Sequence, residues 1–155
     1  MAKEKDRIKK HVNIVNRKAS FEYQFLEKYV AGVMLKGTEI KSIREGKVNM
    51  QDGYCVFQNG ELWLHNMHIA TYTEGTHYNH EPMRTRKLLL NKKELRKLER
   101  GAEEQGVTII PIRVFISDRG FAKVEVALAR GKKLFDKRED IKARDVKREM
   151  DRSGY

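Results

Sequence analysis

Apolar residues fall at every second position in two stretches near the end of the chain. Ile110, Ile112, Val114 and Ile116 form one series, and Val124, Val126 and Leu128 form the other. A period of two predicts strands. Ser117-Asp118-Arg119-Gly120 lies between them and predicts a hairpin turn. Pro111 has no N–H for a ladder, which places its strand at an edge or at a bulge. A second hairpin is predicted where Tyr54-Cys55-Val56-Phe57 and Glu61-Leu62-Trp63-Leu64 flank Gln58-Asn59-Gly60, because Asn-Gly tolerates positive φ at both positions. Phe21–Leu35 is rich in Phe, Tyr and Val and predicts long or broken strands around Ala31-Gly32.

Two short helices interrupt this pattern. Thr38–Glu45 starts after Gly37 and stops at Gly46, with Thr38 as its expected N-cap. The second runs from about Lys92 to Gln105. Asn91 is placed to cap it, Glu94 stands at capping-box spacing and Gly106 ends it. Leu95, Leu98 and Ala102 fit one helical stripe. Many short strands with few helices predict a mainly β protein built as a small closed or partly closed barrel.

The last segment departs from this pattern. Residues 131–155 carry too few large apolar side chains for a wide helical stripe, yet Asp136 and Glu139 have cap-like spacing. Asp140–Arg144 and Lys147–Asp151 are favourable i,i+4 pairs. The expectation is a barrel domain over 1–130 and a basic tail over 131–155, disordered alone and helical when a partner covers it.

The chain has 155 residues, enough for one domain with a modest core. No apolar run reaches the ~20 residues of a membrane span, and Met1–Arg7 lacks the apolar stretch of a secretory signal. One cysteine, Cys55, excludes an internal disulfide framework. These features predict a soluble, cytoplasmic protein.

Net charge is +11, and its distribution says more than its size. Residues 1–20 carry +5, 84–100 carry +6 and 130–155 carry +4, while 21–83 carry −3 and 101–129 carry −1. A near-neutral body with three basic stretches predicts a polyanionic partner, most commonly nucleic acid.

Signatures of enzymes are absent: there is no phosphate-binding G-x-x-x-x-G-K-[ST], no G-x-S-x-G and no H-E-x-x-H. His65, His68, His77 and His80 form two i,i+3 pairs, but without neighbouring ligands they are read as surface or RNA-contacting, and no metal or cofactor is assigned. The basic clusters carry more. Arg17 and Lys18 follow Asn16, Arg84, Arg86 and Lys87 lead into Leu88-Leu89-Leu90, and Lys132, Lys133, Lys137 and Arg138 open the tail. Lys and Arg neutralise phosphates, and Asn hydrogen-bonds base edges or riboses. Tyr72, His77, Tyr78 and His80 are candidates for stacking on unpaired bases.

Asn16-Arg17-Lys18-Ala19, Ala31 to Ser42, Asn79-His80-Glu81-Pro82, Arg84 to Leu90, Gly131-Lys132-Lys133 and Asp136-Lys137-Arg138 occur in an order and spacing that resembles the SsrA-binding protein family. The resemblance runs from Asn16 to Glu149. It implies an oligonucleotide-binding-like antiparallel β-barrel with short α-helices. It implies binding to the tRNA-like domain of transfer-messenger RNA (tmRNA), delivery to stalled ribosomes, and no catalysis. The tail would occupy the empty mRNA channel near the decoding centre. Elongation factor Tu would be an indirect partner through the charged tmRNA.

By position, the resemblance places RNA contacts at Asn16, Arg17, Lys18, Val30, Gly32, Glu39, Lys41, Arg44, His80, Arg84, Arg86, Lys87 and Leu89. It places ribosome contacts at Lys132, Lys133, Phe135, Asp136, Lys137, Arg138, Lys142 and Arg144. Two other readings fit the residues: a general RNA-binding barrel such as a ribosomal or initiation factor, and an RNA hydrolase using His77 or His80.

Overall fold

The computed structural model describes residues 12–74 and 79–132. Nine strands and three helices follow one another: β1 (Asn13–Val15), α1 (Arg17–Glu22), β2 (Tyr23–Val33), α2 (Gly37–Arg44), β3 (Val48–Asn49), β4 (Tyr54–Gln58), β5 (Glu61–His65), β6 (His68–Ile69), β7 (Arg86–Leu89), α3 (Lys92–Ala102), β8 (Val107–Ile116) and β9 (Ala122–Gly131). The main sheet runs β1-β8-β4-β5-β7-β2-β9, all antiparallel, and β9 pairs back onto β8. That last pairing closes β8-β4-β5-β7-β2-β9 into a barrel, with short β1 as an added strand on β8. β3 and β6 form a separate small ribbon.

The two hairpins form where turn chemistry predicts them. Asn59 and Gly60 adopt φ of 54° and 76° between β4 and β5, and Gly120 adopts 88° in the turn before β9. Asn91 caps α3, its Oδ1 accepting the Glu94 N–H at 2.8 Å. The regular helix ends at Ala102, three residues before the expected end, and Gly106 turns the chain with φ of 81°.

Three local expectations are corrected. Phe21 and Glu22 belong to α1, and β2 runs unbroken through Ala31-Gly32; its irregularity falls between Phe25 and Glu27. Helix α2 begins at Gly37 with Lys36 as its cap, because the Glu39 carboxylate accepts the Lys36 N–H at 2.8 Å. The Thr38 hydroxyl pairs instead with His80 Nδ1 at 2.8 Å.

The third correction concerns β8. A strict period of two would put Ile110, Ile112, Val114 and Ile116 on one face. The register shifts between Pro111 and Arg113. After this bulge the phase is reversed. Val114 and Ile116 therefore enter the barrel core with Val124, Val126 and Leu128. Ile110 and Ile112 face outward, where they pack with Ala127 and Ala129 under Ala19 of α1. Both faces of the β8–β9 pair are buried as a result.

The bulge is held by Asn16. Its backbone N–H donates to Ile112 O at 2.9 Å, and its Nδ2 donates to Pro111 O at 2.9 Å and Met50 O at 3.1 Å. Its Oδ1 accepts the Ala19 N–H at 3.1 Å and caps α1. Beside it, Gly53 lies against the proline ring. Elsewhere the barrel is thinly joined: β4 meets β8 through a single residue pair, Cys55 opposite Ile109.

A Cβ at Gly53 would lie 2.7 Å from Pro111 Cγ and 3.1 Å from Met50 O, against a ring and a backbone that yield little. Gly53→Ala is expected to cost about 1–3 kcal/mol, read as a lower urea midpoint with unchanged m-value. An unchanged midpoint would show that the bulge region is slack.

Candidate nucleic-acid interface

On the outside of the barrel, β2 lies between β7 and β9. Gly32 stands opposite Leu89 on one side and Lys123 on the other, and Val30 stands opposite Glu125. Having no side chain, Gly32 leaves a notch between its two neighbours. Leu89 and Phe121 wall it, and Val30 and Met34 stand two residues to either side of Gly32; all four are exposed, Phe121 by 63%. The resulting groove has a volume of about 310 Å³, and Val33, Leu35 and Ile40 contribute to its lining. Apolar surface left in the open in this way marks a contact site.

The groove is bordered by an ionic cluster. Glu39 on α2 is fully buried, as is Arg86 on β7. Arg86 Nε donates to Glu39 Oε2 at 2.5 Å, and Arg84 Nη2 donates to Oε1 at 2.6 Å. The arginines also tie down loop carbonyls: Arg86 reaches Met67 O at 2.6 Å and Pro82 O at 3.1 Å, and Arg84 reaches Met34 O at 3.1 Å. Burial alone would raise the Glu39 carboxyl pKa. Hydrogen bonds from Arg84, the Lys36 N–H and Arg86 outweigh it and hold the group below its ordinary value. Burial pulls the Arg86 guanidinium down, with Glu39 opposing.

His80 is buried nearby. Its Nε2 donates to Ile69 O at 2.9 Å, and its Nδ1 shares a hydrogen bond of 2.8 Å with the Thr38 hydroxyl. Asn79 closes the adjoining loop through both Tyr72 backbone groups. Lys41 Nζ lies 5.3 Å from the centroid of the Tyr72 ring.

The residues singled out in the sequence therefore divide. Gly32 and Leu89 meet in the groove, and Val30 is exposed two residues along β2, opposite Glu125. Lys41 and Arg44 are exposed on α2, and Lys87 is half-buried on β7 with Glu61 at 3.1 Å. Glu39, Arg86 and His80 lie inside the protein, with their polar groups bonded there, and Arg84 bridges inside and outside. Arg17 and Lys18 sit on α1, which leads into Tyr23 at the opposite end of β2 from Gly32. At about 3.3 Å per residue this is some 30 Å away. Lys18 holds Asp52 at 3.0 Å.

Lys132 belongs to that far end too, its N–H on Glu22 O at 2.8 Å and its Nζ on Ser20 O at 3.2 Å. Lys133, Phe135, Asp136, Lys137, Arg138, Lys142 and Arg144 lie outside the described residues, as do His77 and Tyr78. Sequence reasoning missed Phe121 and Lys123 as groove residues. An unpaired aromatic directly after a hairpin glycine is the signal that marks Phe121.

Among the described residues there is no group of His, Cys, Asp and Glu able to hold a metal. No helix among them is long and apolar enough to cross a membrane. Burial pushes the Cys55 thiol pKa up, which leaves it unreactive.

Closed strands, capping helices and a cation-bordered outer groove define a small antiparallel barrel of the oligonucleotide-binding-like class. The family model described as SmpB protein matches residues 13–154. The chain is similar to the SsrA-binding protein of Cytophaga hutchinsonii, 59% identical over 145 residues that cover 94% of this chain and 95% of the relative. It is also similar to that of Trichodesmium erythraeum, 56% identical over 139 residues covering 89% and 88%. A solved structure described as tmRNA-SmpB, on a journey to the center of the bacterial ribosome, superposes with a TM-score of 0.69 at 47% identity and covers 79% of this chain and 86% of that one. The chain belongs to the SmpB family.

Glu39→Gln keeps the side-chain shape and leaves Arg86 buried without its anion. It is expected to destabilise the protein by about 3–5 kcal/mol. Because the folded carboxyl titrates below 4.5, wild type holds this contribution above that pH and loses it as pH falls through the depressed value. Urea titrations from pH 7 to pH 3 should show the two proteins converging; a constant gap would deny that the carboxylate is the source.

Proposed function

We propose that this chain binds the tRNA-like domain of tmRNA through the groove face and brings it to stalled ribosomes for trans-translation. The observation that carries the proposal is the apolar notch at Gly32, walled by Leu89 and Phe121, with Lys123 in its lining and Arg84 bonded to Met34 O at the end of β2, in a chain of the SmpB family. The names of its relatives, SsrA-binding protein and tmRNA-SmpB, support the RNA as partner. Cations around an apolar floor suit a folded RNA. Phosphates fix its position, and an unstacked base or ribose covers the notch. The protein supplies binding and orientation, with no reaction of its own, and acts in the cytoplasm where ribosomes are.

The second part of the proposal concerns the tail. Lys132 leaves the barrel beside α1, at the end remote from the groove. The described chain thus ends, at Lys132, on the side of the barrel remote from the RNA it grips. We assign residues 133–155 to the empty mRNA channel near the decoding centre, with contacts from Lys133, Phe135, Lys137, Arg138, Lys142 and Arg144. Elongation factor Tu enters indirectly, with the charged tmRNA. Asn16, Glu39, His80 and Arg86 act in this scheme by fixing the backbone that presents the exposed residues.

Three variants separate these roles. Leu89→Ser with Phe121→Ser should weaken binding to the isolated tRNA-like domain about tenfold or more at unchanged thermal stability. Asn16→Ala should lose stability and affinity together. Deleting residues 133–155 should leave that affinity within about twofold and abolish tagging in a reconstituted translation system. Equal affinity of the wild type for an unrelated structured RNA would instead favour a general RNA-binding barrel.

A further inference from the structure

Helix α3 lies outside the groove and carries a charge pattern that the tmRNA reading does not use. Its apolar stripe, Leu95, Leu98 and Ala102, packs on the barrel core, and Leu98 is fully buried. At about 100° per residue, Lys92, Arg96, Arg100, Lys93 and Lys97 occupy one continuous arc of roughly 140° centred opposite that stripe. Neither acid falls in the arc: Glu94 and Glu99 flank the apolar stripe. All five cations are exposed.

Five cations elsewhere on the surface have an acidic partner within the chain. Lys18 pairs with Asp52, Lys47 with Glu45, Lys87 with Glu61, Arg113 with Glu125 and Arg130 with Glu104. Among the described residues, no ion pair includes a cation of α3. Lys92–Arg96, Arg96–Arg100 and Lys93–Lys97 are like-charge i,i+4 neighbours, which weaken an isolated helix. A helix built against its own stability, aimed directly away from the core, calls for an external polyanion.

The geometry points to a second RNA surface: the outer face of α3 contacts the phosphate backbone of a double-helical RNA segment, separately from the RNA held in the groove. The helix is about 16 Å long, and it presents cations with no aromatic or apolar residue among them. This arrangement fits regularly spaced phosphates and offers nothing to read a base. The inference rests on the chain being an RNA-binding protein, and it does not depend on which RNA occupies the groove.

The test compares two full-length variants of equal net charge, Lys93→Gln/Arg96→Gln/Arg100→Gln and Lys28→Gln/Lys47→Gln/Arg119→Gln. Glutamine preserves helix propensity, and circular dichroism checks that both fold. The probe is a 20-base-pair RNA duplex unrelated to tmRNA, titrated between 50 and 200 mM salt. The α3 variant should bind about tenfold more weakly than the control variant, and its slope of log affinity against log salt should fall by about two to three. Equal losses in the two variants would overturn the proposal by showing a general charge effect. So would a loss confined to anionic phospholipid vesicles. Failure of the tRNA-like domain to bind wild type would refute the groove reading alone, since the duplex comparison does not involve it.

Discussion

A single buried carboxylate, that of Glu39, joins a helix start, a strand and the loops between them. It closes the first turn of α2 onto Lys36 and holds Arg84 and Arg86. Through these it fixes Met34 O at the end of β2 and the carbonyls of Met67 and Pro82 in the loops before β7. A buried charge tolerates no loosening, because every partner it loses leaves it unsolvated. The groove lies beside it: its floor is on β2 and its wall on β7, paired directly at Gly32 and Leu89, and the cluster ties the segments at their ends. The site is in effect suspended from an anion that no ligand touches.

Much of this fold was legible in the chain because it is local. Asn59-Gly60 and Asn91 act on residues two or three positions away, and their turns and caps form as expected. The failures share a different cause. The reversal of phase at Pro111 is completed by Asn16, 95 residues away in sequence, and no periodicity within β8 reveals it. Thr38 looks like a cap until His80, on another segment, claims its hydroxyl.

The candidate contact residues followed the same division. Val30, Gly32 and Leu89 are recognisable by resemblance and do meet on one outer face. Asn16, Glu39, His80 and Arg86 have side chains suited to RNA, yet the structure buries them and bonds them internally. Residue type could not separate these cases, since an arginine that reads phosphate and one that neutralises a buried glutamate look alike in sequence. Net charge misleads in the same way. Arg84, Arg86 and Lys87 all raised the charge of their segment, although each faces a carboxylate of the protein itself.

The seam between β4 and β8 has a consequence for how the barrel is held shut. Strand pairing contributes only Cys55 opposite Ile109 there, and the gap beside it is lined by Glu99 and Ala102 of α3. The helix thus works as a clasp, bridging two strands that scarcely hold each other. Gly101 lets it lie close, since a Cβ there would meet Leu128 Cδ1 at 2.4 Å. Closure of this sheet is a tertiary property. A ring of hydrogen bonds that is nearly complete is finished by side chains of the helix that lies over its gap.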